Sequence, residues 1–190
     1  MSYTDQASIE AFLKRDLTGN EETLLPLILS SIDSFINDQV GGSFGEAEES
    51  TRYYDGGSKI IDIDPCIEIT AVELVDREED VDHTYVLNED FEARPRNDIA
   101  KEWIEKRIGC FPSGVANIGV TAKFTISEEV PEDIKYLATY LAGQLFSQNV
   151  QGNLKSESIE GYSRTFANLI QDNQVLYMTL NKYKKDDIVL

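Results

Sequence analysis

One histidine, His83, directly follows the carboxylate run Asp76, Glu78, Glu79, Asp80 and Asp82, the stretch best supplied with ligating side chains. Such oxygens suit a hard cation. A calcium loop, however, orders its ligands around a turn glycine, and this run has none. Zinc would need further nitrogen or sulfur ligands, and no CxxC or HExxH spacing occurs. A lone imidazole with no apposed Ser or Cys signal gives no basis for a triad. The run therefore reads as a solvated acidic loop between two strands, with His83 a solvated loop histidine. A carboxylate pair for glycoside chemistry would have to be chosen from 35 acidic residues, and nothing singles one out. Neither GxGxxG nor GxxxxGK[ST] is present to cradle phosphates. The expectation is a protein that is not an enzyme and carries no metal or cofactor.

Arg52 is interleaved with Phe44, Tyr53 and Tyr54, the composition of a stacking platform for single strands. One basic residue is too few for that, so ordinary strand packing is expected. Cys66 and Cys110 make no disulfide framework and read as two small, half-buried thiols. Seventeen basic against 35 acidic residues leave a net charge of −18. Gripping nucleic acid takes many Lys/Arg phosphate contacts, so this balance opposes a DNA-binding domain. It does not oppose a conduit, because a passage that weakly repels a polyanion conducts it better than one that grips it. Solubility is the simpler reading of charge alone.

The elements that position these residues follow from periodicity. The length of 190 residues allows one sizeable core, or a core with an inserted lobe. No apolar run approaches the roughly 20 residues of a membrane span, and the N-terminus lacks the pattern of a secretory signal, so the chain is expected to stay in the cytosol where it is made. Thr4 or Asp5 can cap a short helix carrying Ile9, Phe12 and Leu13. A second helix carries Leu25, Ile28, Leu29, Ile32, Phe35 and Ile36, with Pro26 taken to fix its start near Glu22 or Thr23. From about Ser43 the pattern turns to strands. Asp55-Gly56-Gly57 is a turn signal between two of them, and Ile67, Ile69 and Ala71 slip in phase against Val72 and Leu74, which predicts a bulge or a strand buried on both faces. Ile118, Val120, Ala122, Phe124 and Ile126 alternate cleanly, while 98–108 is ambiguous between helix and strand. Ile134, Leu137, Ala138, Leu141, Ala142, Leu145 and Phe146 then mark a core helix behind Pro131. A last helix is expected near Leu169–Tyr183.

The architecture expected is α+β: a helical bundle core, built from the two N-terminal helices and the C-terminal helices, with an inserted antiparallel β-rich subdomain. Its parts are 1–45, 46–128 and 129–190, the last carrying a polar segment over 155–163. From the residues alone that segment is either a surface hairpin around Gly161 or a subunit-contacting loop with Ile159 and Tyr162 as anchors.

Thr51-Arg52-Tyr53-Tyr54-Asp55-Gly56, Phe111-Pro112-Ser113-Gly114, Val130-Pro131-Glu132-Asp133-Ile134-Lys135 and Lys155-Ser156-Glu157-Ser158-Ile159-Glu160-Gly161-Tyr162-Ser163 stand in an order and spacing that carry one further reading. The chain resembles the head–tail connector (adaptor, head-completion) proteins of tailed bacteriophages over most of its length. Ala122 departs from that pattern, since connector-like sequences often carry glycine in this strand. The resemblance implies a structural subunit of a twelvefold ring beneath the portal, extending the DNA channel and offering a platform for neck or tail attachment. The partners it implies are further copies of the chain, the portal protein and a neck or tail completion protein. Double-stranded DNA would pass through without sequence-specific binding, and no membrane is involved. The location implied is the virion neck, reached from the host bacterial cytoplasm during assembly. It also favours contact for Ser156, Glu157, Ser158, Ile159, Glu160, Gly161, Tyr162 and Ser163, joined by Leu176, Leu180 and Tyr183. The alternative is an acidic, monomeric protein-binding module of the nucleic-acid-mimic type, without ring assembly.

Overall fold

Asp5 sets the start of helix α1 (Gln6–Leu13), its carboxylate accepting a hydrogen bond from the Ser8 amide at 2.8 Å. The computed structural model of the chain describes residues 2–76, 78, 80–98, 100–149, 166–171 and 173–185. Among them are five helices and two antiparallel sheets, an α+β arrangement. They divide into two units: described residues of 1–40 and 130–184 form one, those of 41–129 and 185–190 the other.

In the helical unit, α2 (Gly19–Val40) begins before Pro26, which lies inside it. The expected start near Glu22 or Thr23 is therefore corrected. Thr18 and Glu21 form a reciprocal cap: the Thr18 amide donates to Glu21 Oε2 at 2.8 Å, and the Glu21 amide to Thr18 Oγ1 at 3.4 Å. That cap fixes the start, and proline then removes only the backbone bond to the Glu22 carbonyl. The face of Leu25, Ile28, Ile32, Phe35 and Ile36 is buried. Helix α3 (Glu132–Asn149) starts one residue after Pro131, and all seven of its periodic apolar residues are buried.

The single last helix is also corrected. A helical stretch over 166–171 (α4) precedes Asn173, whose Oδ1 accepts from the Val175 and Leu176 amides at 3.1 and 3.4 Å and starts α5 (Gln174–Tyr183). An asparagine side chain competes for backbone amides, so it caps a new helix rather than continuing the old one.

The second unit holds β1 (Glu49–Tyr54), β2 (Ile60–Cys66), β3 (Glu68–Val75), β4 (Val81–Tyr85), β5 (Phe91–Arg94), β6 (Lys101–Lys106) and β7 (Ile118–Lys123). One sheet runs β1-β7-β3-β4 and the other β2-β6-β5. A single apolar core takes Ile61 and Ile63 from β2, Phe91 from β5 and Ile104 from β6. Val72, Tyr85, Ile118 and Val120 of the other sheet pack into the same core, with Phe111 and Phe124.

Asp55-Gly56-Gly57 is a turn, but it switches sheets instead of closing a hairpin, because β1 pairs with β7 and β2 with β6. Gly56 is required there, since a Cβ would lie 2.0 Å from the Pro112 carbonyl oxygen. The phase slip in β3 appears as a register shift between Ile69 and Ala71. The ambiguous segment is strand β6. His83 stands on β4, an edge strand, and so is not a loop residue. Beyond β7 the buried Thr125 hydroxyl lies 3.0 Å from the carbonyls of Ser43, Gly45 and Ser127. It holds the outgoing chain against the incoming one.

Candidate functional site

The acidic turn between β3 and β4 is organised by its own backbone. Asp76 Oδ1 accepts from the amides of Glu78 and Asp80 at 2.8 and 3.0 Å, so the first carboxylate is already engaged. Among the described residues no three His, Cys, Asp or Glu side chains are grouped to hold a metal ion. His83 is exposed and packs edge-on against Tyr85, with ring centroids 4.7 Å apart. Cys66 is buried and Cys110 exposed, both as free thiols. Burial pushes the Cys66 thiol up to about 12, which removes it from thiolate chemistry at neutral pH.

Arg52, Tyr54 and Phe44 are engaged in packing and pairing, while Tyr53 is 40% exposed. Arg52 Nη1 pairs with Asp64 Oδ2 at 2.7 Å, and its guanidinium lies 4.2 Å from the Phe124 ring centroid. The Tyr54 hydroxyl donates to the same carboxylate at 2.9 Å and accepts from the Asp64 amide at 3.1 Å. Phe44 is buried.

Of the residues assigned to contact, Ser156 to Ser163 lie outside the described residues. Leu176 and Leu180 are buried within the helical unit. Tyr183 is half-buried and donates to Asp133 Oδ1 at 2.8 Å, beside Lys182, which pairs with Asp133 Oδ2 at 3.0 Å. Burial raises the Asp133 pKa, but these donors outweigh it and hold the carboxyl below its ordinary value. The apolar side chains left exposed on α5 are Val175, Tyr177 and Met178. They lie off the Leu176/Leu180 stripe, and apolar residues off the stripe are the sequence signal for them.

A second feature was invisible in the sequence. On the outer face of the three-stranded sheet, Glu92 is opposite Glu105 and Arg94 opposite Trp103. Three guanidinium groups converge on Glu92: Arg94 Nη2 at 2.6 Å, Arg96 Nη2 at 2.5 Å and Arg107 Nε at 3.9 Å. The Glu92 side chain is only 13% exposed, whereas Arg96 and Arg107 remain 61% and 50% exposed. Arg96, ahead of the other two arginines, holds the Glu92 carboxyl below its usual range. Beside this cluster Leu87 is exposed and Ile108 is 87% exposed. The arrangement binds carboxylates and presents apolar surface; it offers no nucleophile and no acid–base pair.

No protein-family model matches the chain, and no curated protein matches it in sequence. Solved structures do share its fold. A chain from the neck of an empty gene transfer agent particle, computed with C6 symmetry, superposes with a TM-score of 0.60 at 13% identity, over 96% of this chain and 90% of that one. A chain from the virion of the native gene transfer agent particle gives a TM-score of 0.50 at 12% identity, over 86% of this chain and 79% of that one. The resemblance to head–tail connector proteins read from the sequence is thus met at the level of fold.

Proposed function

We propose that this chain is a structural subunit of a virion neck, assembling as a closed ring beneath the portal. The observation that carries the reading is the fold shared with a neck chain across nearly the whole of both chains. The sixfold symmetry of that neck is compatible with a ring of twelve as well as of six. In this reading the helices form a bundle core that makes the ring wall. The β-rich insertion, about 46–128, and the segment 155–163 reach for neighbours, the portal protein and the neck or tail completion protein. Leu176, Leu180 and Tyr183 contribute by setting the position of α5. Double-stranded DNA passes through the opening, and the chain's charge of −18 keeps the backbone from sticking to the wall. The subunit works at the virion neck after synthesis in the host cytoplasm, and by assembly rather than catalysis.

The test is light scattering coupled to size exclusion across a concentration range, with and without purified portal protein. A ring-sized species, or a portal complex of fixed stoichiometry, is the expected result. A monomer that ignores portal at every concentration would overturn the ring reading and favour an acidic, monomeric binding module.

A further inference from the structure

A ring of identical subunits needs two different, complementary surfaces on each copy, because its contacts are heterologous. The β unit carries such a pair. One surface is the arginine cluster around Glu92. Arg94, Arg96 and Arg107 share that one carboxylate, and Arg94 and Lys59 reach Glu105 at 3.5 and 2.8 Å. Four cations therefore share two carboxylates, in a chain where acidic residues outnumber basic ones two to one. The other surface is the β3–β4 turn. Its sequence places Asp76, Glu78, Glu79, Asp80 and Asp82 against the single cation Arg77. Its described carboxylates, Asp76, Glu78, Asp80 and Asp82, are all exposed.

Each surface adds apolar area to its charge. Val81 is exposed beside the acidic turn, and Leu87 and Ile108 are exposed beside the arginines. Arginine is enriched at protein interfaces, and the exposed aliphatic side chains beside each charged group add apolar area that a partner can cover. One subunit cannot satisfy itself. The acidic turn is at the start of β4 and the arginines are grouped past its end, where Lys106 Nζ lies 3.7 Å from the Tyr85 ring centroid and Arg107 N donates to the Asp90 carbonyl. At about 3.3 Å per residue, β4 alone separates them by roughly 15 Å.

We infer that the occupant of the arginine cluster is the acidic β3–β4 turn of a second copy of this chain, a head-to-tail contact that repeats around the ring. This rests on the ring reading and adds its specificity. Duplex DNA is the poorer fit, because the cluster is small, Glu92 is at its centre, and the rest of the chain repels phosphate at long range.

Two charge-reversed chains test it: Arg96→Glu with Arg107→Glu, and Asp80→Lys with Asp82→Lys. Each presents like charges at both halves of the contact. By sedimentation, with portal present as template where the wild-type chain needs it, each alone should associate at least tenfold more weakly than wild type. Mixed in equal amounts they should assemble again as an alternating ring, because every contact then joins opposite charges; that rescue also shows that both variants are folded. A wild-type ring that both variants still form alone would overturn this contact and leave the ring reading standing. So would variants that stay dissociated after mixing. A wild-type chain that never assembles, alone or on portal, would remove both. In fluorescence anisotropy with duplex DNA, binding abolished in the Arg96/Arg107 variant while its ring persists would assign the cluster to DNA and overturn the inference.

Discussion

The Tyr183 hydroxyl donates to the carboxylate of Asp133 at 2.8 Å, joining the last turn of α5 to the first turn of α3. Lys182 shares that carboxylate, so the Asp133 pKa is held low against the effect of burial. Replacing Tyr183 with Phe should cost the helical unit about 1.5 kcal/mol, the lower end of the net worth of a hydrogen bond to a charged partner. A depressed carboxyl stabilises the fold above its unfolded pKa and ceases to as the pH falls through its folded value. The cost of Tyr183→Phe, read by urea unfolding, should therefore be full at pH 7 and shrink below about pH 3.8.

Glu21 holds the start of α2 and, among the described residues, is the most strongly shifted acid of the helical unit. Arg15 is the main cause, opposed by burial and helped by the Thr18 amide, and together they lower its carboxyl from 4.5 to about 2. The stabilisation is present above pH 4.5 and is lost progressively as the pH falls toward 2. Glu21→Gln should lower stability at pH 7 by about 2 kcal/mol and flatten the acid limb of the melting profile. An unchanged acid limb in that variant would refute the assignment.

Gly56→Ala should destabilise the β unit by about 3 kcal/mol, because the new methyl meets a backbone carbonyl that cannot swing aside. Gly109→Ala is the control for backbone conformation. Gly109 has φ +71 with open space around it, so that change should cost about 1 kcal/mol. Gly56 itself has no positive φ, so a loss at 56 no larger than that at 109 in thermal unfolding would show that the Pro112 carbonyl does not exclude a methyl group.

Ellman titration of the native chain should count one thiol promptly, the exposed Cys110, and a second only after denaturant exposes Cys66. Two prompt thiols at neutral pH would mean that the core around Cys66 opens readily.

What the sequence made legible was whatever one element could declare alone. Helix α3 did so because seven apolar residues kept a 3.6 period over its length, and β3 betrayed its bulge by a change of phase. Pro26 points to a later start of α2 than the structure has, because the Thr18 and Glu21 cap, three residues apart, overrides the proline's local preference. Asn173 was hidden inside an apolar pattern that would have suited one long helix. The arginine cluster could not be read at all: Arg94 comes from β5 and Arg96 and Arg107 from the loops after β5 and β6, and the net charge of −18 pointed away from any basic surface. Tertiary pairing, not propensity, put them together.

The Phe44–Ser127 bridge has a bearing on the chain's history as well as its stability. With the Ile126 amide bonded to the Ser43 carbonyl and Gly45 to Ser127, the two ends of the β unit are fastened to each other by the unit itself. Residues 41–129 therefore reach the helices as a loop already closed, its entropy of closure met inside the insert. Lengthening, shortening or exchanging strands within that clasp leaves the ends where they were. The β unit is built as a cassette, free to vary in size while the helices keep their sequence.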